Sequence, residues 1–388
     1  MGVKGMEKLI YLDNAATTKI YSDVLREMLP YFSKIYSNPS GIYEFSSKAR
    51  EATELARSRI AKLINADADE IYFTSGGTEA DNWALKCAAK ANRKKGKHIV
   101  TTKIEHHAVL NTCRSLENEG YEVTYLEVDK DGMVNPEHVM DVVKKGTIII
   151  SVMAANNEVG TIQNIAQIGR IARANNVLFH TDAVQALGQI PIDVKKMNID
   201  MLSASAHKLH GPKGVGCLYI NKNVGIEPFM HGGSQEKKLR AGTLNVPGIV
   251  GFGKAADIAL NKMDEKIKKE TELRDYLING MVENVPECTL NGHKTMRLPN
   301  NTNFCFKHIE GESLVIILDT MGICCSSGSA CSAGSKNPSH VLVAMGQTDD
   351  DAHGALRLTL SENTTTEELD YTIAAVKKSV NGLRTMSS

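Results

Sequence analysis

From about residue 70 onward, short runs of β-branched and aliphatic residues alternate with stretches of helical period. "EIYFTS" precedes "TEADNWALKCAAKANRK", "HIVTT" precedes "HHAVLNTCRSLENEG", "EVTYLEV" precedes "PEHVMDVVKKG", and "TIIISVMA" precedes "IAQIGRIARANN". "VLFHTDA", "IDMLSASA" and "GVGCLYI" continue the series. Strands separated by helices of this length read as βαβ units, hence a mostly parallel sheet covered on both faces. Ligands of such sheets bind beyond the carboxyl ends of the strands, so the residues just after each apolar run are the place to look for chemistry.

A long, charged helical stretch spans 248 to 285, and beyond it "NTNFCFKHI", "ESLVIILDTMGI", "GALRLTLS" and "TEELDYTIAAVKKSVNGL" read as a small α+β unit. The 388 residues exceed what one compact core usually holds. The expected fold class is α/β. A large domain, 15–260, carries the mostly parallel sheet flanked by helices, and a smaller α+β domain is built from 1–14 and 261–388.

Charge narrows the partners. Lysine and arginine (45) balance aspartate and glutamate (45), so no long-range field favours nucleic acid or an anionic membrane surface. No apolar run approaches the roughly 20 residues that span a bilayer, and the start, "MGVKGMEKLIYLDNAATT", lacks the apolar core and cleavage site of a signal peptide. A cytoplasmic protein acting on a small molecule, or on a protein docked by local contacts, is expected. Eight cysteines without C-x-x-C spacing predict reduced, mostly buried thiols rather than a disulfide scaffold.

Polar residues gather at the strand ends. After "EIYFT", Gly76 and Gly77 permit a tight turn and Thr78 begins a helix. That is either a phosphate cradle or an ordinary capped turn. After "VLFH" come Asp182 and Gln185, where the aspartate either faces a protonated ring nitrogen or caps the next helix. After "DMLSAS" come Ser205, His207 and Lys208 before a Gly/Pro-rich turn. A lysine so placed is a candidate for desolvation, which frees its amine for a Schiff base; a snorkelling surface lysine is the alternative. His106 and Asn157 follow two further strands, as a ring-stacking histidine and a ring-hydroxyl partner or as a helix cap and a turn residue. Zinc competes for His106 and His107, but no Cys/His pair lies nearby at ligand spacing, so no metal is expected. Together these are the parts that a pyridoxal 5'-phosphate site requires.

One thiol stands apart. Cys331 lies in "SSGSACSAGS", residues 326 to 335, where its neighbours are too small and polar to form a core.

The chain resembles the fold-type I pyridoxal-phosphate enzymes, and within them the cysteine desulfurases of the NifS/IscS group. The likeness runs through "YLDNAATT", "SNPSGIYEFS", "FTSGGTEADN", "EHHAVL", "NNEVGTIQ", "HTDAVQALG", "SASAHKLHGPKGVG", "LRAGTLNVPGIVGFG", "SSGSACSAGSKNPSHVLVAMG" and "ALRLTLSENTTTEELD". It implies that Lys208 binds the cofactor covalently and that Asp182 pairs with the ring nitrogen. Gln185 and Asn157 would lie near the ring oxygen, His106 would stack on the ring and assist proton transfers, and Gly77, Thr78, Ser205 and His207 would form the phosphate site. Thr243 matches a threonine contributed by the neighbouring subunit, which implies a homodimer. Arg357 matches the arginine that holds the substrate carboxylate, with Asn157 and Asn38 in the same pocket. The implied reaction converts L-cysteine to L-alanine while Cys331 takes the sulfur as a persulfide, for an acceptor such as an iron–sulfur cluster scaffold. The loop would then be a swinging arm, weakly ordered at rest, with Gly328 and Gly334 easing its movement.

The chain departs from the group in places. Lys237 follows Gln235 and Glu236 where many relatives have arginine, although Arg240 is kept, and the chain stops at "VNGLRTMSS" without the longer scaffold-docking tail. That leans towards the nitrogen-fixation-type or another specialised branch. Cys324 and Cys325 read as buried strand-end residues, with a relay or redox role as the alternative. Two rival functions remain. The first is a selenocysteine lyase or an aminotransferase on the same scaffold, of which the aminotransferase has no use for Cys331; the second, a metal or iron–sulfur protein built on Cys324, Cys325 and Cys331, lacks a fourth close ligand.

Overall fold

Seven of the apolar runs form one sheet in the computed structural model, which describes residues 9–328 and 338–387. A short β1, Ile10–Tyr11, precedes it. The seven strands are β2 (Ile71–Thr74), β3 (His98–Thr102), β4 (Glu122–Leu126), β5 (Thr147–Ser151), β6 (Leu178–Asp182), β7 (Met201–Ser205) and β8 (Gly216–Ile220). Their order is β2-β8-β7-β6-β5-β3-β4. Every pairing from β7 to β4 is parallel, while β8 runs antiparallel to both β2 and β7. The reversed strand was not visible in the apolar pattern, which carries no direction. All residues of β3, β5, β7 and β8 are buried, as the uninterrupted apolar runs require of a sheet covered on both faces.

One face is covered by helix Gly77–Asn92, which begins one residue before Thr78. Its apolar stripe of Ala80, Trp83, Ala84 and Ala88 is buried, and the small side chains let the helix approach the strands closely. The other face packs Phe179, Leu202 and Ala204 against helices Ser47–Leu63, Ile165–Ala174 and the first part of Val246–Asn284.

A second core lies around β9 (Cys288–Leu290), β10 (Asn301–Phe306), β11 (Ile323–Cys324) and β12 (Ala355–Thr359). β12, β10 and β9 form an antiparallel sheet, and β1 pairs in parallel with β11. The N-terminal segment therefore starts in this second unit and crosses to the edge of the large sheet, with Ala15 N–H donating to Thr359 Oγ1 at 2.8 Å. Helix Val246–Asn284 runs unbroken between the two cores, so the expected boundary at 260 falls inside a single helix. No helix among the described residues is long and apolar enough to cross a membrane.

Candidate active site

A cavity of about 180 Å³ opens at the carboxyl edge of the parallel strands, where the N-terminal segment meets β12. Strand β6 delivers Asp182 to it, with Val184 and Gln185 in the following turn, and β7 delivers Ser205, His207 and Lys208. His106 enters from the turn after β3, and Asn157 from the loop after β5. Gly77 and Thr78 come from the turn after β2, and Arg357 comes from the second unit. Of the residues nominated from sequence, Asn38 and Thr243 lie exposed and away from this cavity of the single chain. Cys331 and Gly334 fall in 329–337, outside the described residues, as does the expectation of a weakly ordered loop.

The Lys208 amine donates to the carbonyl of Ala16 at 2.8 Å and also to that of Ala15, and Gln185 Nε2 reaches the Ala15 carbonyl at 3.0 Å. The "NAATT" segment thus braces the wall that carries the lysine. His207 Nδ1 meets Thr17 Oγ1 at 3.2 Å, and burial pushes the imidazole down to about 4, so it sits neutral at physiological pH. His106 is the N-cap of helix His107–Asn118, its Nδ1 accepting from Ala108 N–H at 3.1 Å. The capping and chemical readings of His106 are thus compatible: with Nδ1 accepting, the neutral ring carries its proton on Nε2. Burial, Lys208 and His340 all lower its pKa.

Asp182 is 5% exposed and accepts Val184 N–H at 2.9 Å. Burial raises its pKa, and the Val184 amide and Lys208 oppose that rise. At the opposite side of the sheet edge, Gly77 opens helix Gly77–Asn92, whose first-turn amides have no intrahelical acceptors. A Cβ on Gly77 would lie 2.5 Å from Val184 Cγ2, so only glycine lets the turn approach this closely. Arg240 holds the turn from outside through Glu79, donating at 2.8 and 3.2 Å, while Glu79 accepts Ser75 N–H at 2.9 Å. Lys237 donates to the Asp69 carbonyl and lies over the Tyr72 ring. Its neighbour Glu236 is buried, paired with Arg57 at 2.8 and 2.9 Å and accepting Phe73 N–H.

Arg357 is 1% exposed. Nη1 donates to the Asn157 carbonyl and Nη2 to Asp13 Oδ1, both at 2.9 Å, while Nε has no hydrogen-bond partner among the described residues. A buried guanidinium in the wall of a cavity suits a carboxylate. The backbone of Arg357 pairs with Ser326, its N–H donating to the Ser326 carbonyl at 2.7 Å. On the far side of 329–337, Ser339 Oγ donates to Glu158 Oε2 at 2.5 Å. Ser326 is thus held by a residue that lines the cavity, and Ser339 by the neighbour of one. Burial raises the pKa of the Cys324 and Cys325 thiols, that of Cys325 to about 12. Both remain poor nucleophiles at neutral pH, which weighs against a sulfur relay.

Sequence reasoning missed Asp13, Asp81 and Glu105. The signal for Asp81 was present: it lies at i+4 from Gly77, on the apolar stripe of its helix.

A model of the aminotransferase class-V family matches residues 10–372. A cysteine desulfurase IscS of Methanosarcina thermophila is 53% identical over 380 residues, covering 98% of this chain and 94% of its own. Among solved structures, a NifS-like protein superposes with a TM-score of 0.91 at 40% identity, covering 97% of this chain and all of its own. A structure of SspA in complex with cysteine superposes with a TM-score of 0.81 at 36% identity, covering 92% of this chain and all of its own.

Proposed function

The chain belongs to the class-V aminotransferase family, in its cysteine desulfurase group, and from that premise we propose how its own residues use pyridoxal 5'-phosphate to take sulfur from L-cysteine. The observation that carries the proposal is the convergence of Lys208, Asp182, Gln185, His106 and Arg357 on one cavity. The donor set fits the cofactor. Gly77, Thr78, Ser205 and His207 form a cradle for its phosphate, and Asp182 is a buried carboxylate for its ring nitrogen. Gln185 and Asn157 would serve the ring oxygen, His106 would cover the ring face, and Lys208 would hold the group covalently. When bound, pyridoxal phosphate supplies an electron sink for charge developing at the substrate Cα.

Arg357 binds the L-cysteine carboxylate, with Asn157 beside it and Asn38 as a further contributor. The Lys208 amine takes the Cα proton. The Cys331 thiolate then forms a bond to the substrate sulfur as the substrate C–S bond breaks, and the released electron pair stays on the three-carbon skeleton. Lys208 returns a proton to that skeleton with help from His106, which yields L-alanine and leaves the sulfur on Cys331. Exposed Thr243 and Asn38 fit a homodimer in which each subunit completes the other's site. The two cores fit the division into 15–260 and 1–14 with 261–388. The sulfur goes to an acceptor protein, such as an iron–sulfur cluster scaffold, in the cytoplasm.

The test is to supply L-cysteine and measure alanine and sulfide with and without reductant. Wild type produces both, with sulfide requiring reductant, and Cys331→Ala keeps its cofactor but forms neither. Full activity in Cys331→Ala would sink the assignment of the nucleophile.

A further inference from the structure

Behind the cavity lie buried acids that the proposed chemistry leaves unassigned. Asp81 is 1% exposed, lines the same cavity, and has an Oδ1 without a hydrogen-bond partner among the described residues. Ligand-competent atoms of Asp81, Asp182 and His106 all lie within 4.8 Å of one another. Glu105 is fully buried nearby, with Oε1 accepting from Met153 N–H and Thr102 Oγ1 at 2.9 Å each and Oε2 unpartnered.

Carboxylates this close in a dry site cannot all ionise, and neighbouring charges and donors decide which one does. Asp182 has the Val184 amide and the attraction of Lys208. Asp81 faces the Ser203 hydroxyl, and beyond it two other acids, Asp182 and Glu105. The surrounding histidines add no positive charge: burial first, then Lys208 and His340, lower the pKa of His106, and burial drives His180 down to about 3. Both ring nitrogens of His180 are engaged, Nδ1 with Ser151 Oγ at 2.8 Å and Nε2 with Ser203 Oγ at 3.0 Å. That row takes one side chain from each of β5, β6 and β7 and fixes the Ser203 hydroxyl under Asp81. Burial, then repulsion from Asp182, raises Asp81 well above the ordinary aspartate range, and burial raises Glu105 to about 8.

We propose that Asp81 is a positioning residue, a neutral acid beside Asp182 that leaves Asp182 as the one carboxylate to meet a protonated ring nitrogen. Asp81 also gives the ionised Asp182 a polar neighbour where an apolar side chain would desolvate it further. The inference rests on the cofactor reading above.

The experiment reconstitutes the full-length protein with ¹⁵N-ring-labelled pyridoxal phosphate. It records the ring-nitrogen shift and the pH midpoint of the visible band for wild type, Asp81→Asn and Asp81→Leu. The amide mimics a neutral acid, so Asp81→Asn should hold the midpoint within about 0.3 unit and keep the protonated-ring signal. Asp81→Leu should move the midpoint by about 1 unit and the ring signal towards the unprotonated form, with kcat falling more than KM changes. A shift of about 1 unit in Asp81→Asn would mean that Asp81 carries charge, and an unchanged Asp81→Leu would mean that it positions nothing. Either result overturns the proposal, and Asp81→Ala, read in the same way, takes the place of the leucine variant if that one does not fold. Wild type that takes up no cofactor overturns the cofactor reading and this inference with it, so the two failures are distinguishable.

Discussion

Asp13 holds one arm of Arg357. The 2.9 Å contact from Nη2 to Asp13 Oδ1, with Nη1 on the Asn157 carbonyl, fixes the guanidinium plane of a residue that lines the cavity. In Asp13→Asn the charge-assisted bond becomes an ordinary one and the plane loosens. The KM for L-cysteine should rise about tenfold, the equivalent of ~1.4 kcal/mol, with little change in kcat. Steady-state kinetics checks this, and an unchanged KM would remove Asp13 from the substrate site.

Gly77 is set by space. An alanine there needs Val184 Cγ2, 2.5 Å from the new Cβ, to move, and Val184 adjoins Asp182. Gly77→Ala should fold but release pyridoxal phosphate about tenfold more readily, as expected where one polar contact is lost. Dialysis followed by absorbance of the retained cofactor reads the effect.

Lys208 braces the "NAATT" segment as well as bearing the amine proposed to hold the cofactor. Lys208→Ala should lose both the visible band and alanine formation. A retained band would show that the cofactor is held without this lysine.

Glu105 makes stability depend on pH. Burial raises its pKa from about 4.5 to about 8, so the folded state holds this proton more tightly than the unfolded chain does. Its contribution is full below the unfolded value and is lost as pH rises through the folded one. Gln keeps the oxygen that Met153 N–H and Thr102 need and has no proton to lose. Between pH 5 and pH 9 the Tm of Glu105→Gln should therefore gain on wild type by about 2 °C or more. Melting curves at the two pH values decide it.

The sheet was legible in the sequence because most of its strands, β4 excepted, are buried on both faces and read as short runs rich in apolar residues. The strand-end rule then led to Asp182, Ser205 and Lys208, which line the cavity. What stayed hidden depends on contacts distant in sequence. The carbonyls of Ala15 and Ala16 reach Lys208 across almost half the chain, and nothing in "NAATT" announces it. Glu105 resembles a solvated acid until its burial is known, whereas Asp81 could have been noticed from its place on an apolar helix stripe. Glu236 sits in a charged run, yet it is buried against Arg57. Asn38 and Thr243 illustrate the converse: their motif positions are plain, but in one chain they face outward.

The tethers at Ser326 and Ser339 set a limit of pure geometry. On the sulfur-transfer reading proposed above, a thiol five residues beyond Ser326 could reach at most ~18 Å from the strand that bears Arg357, because a chain spans at most ~3.6 Å per residue. An acceptor thiol docked within that radius would meet the sulfur at an effective concentration of order millimolar, and one docked outside it would receive none. Delivery would then be a question of where the acceptor docks, with the length of the leash as a ruler that selects among surfaces.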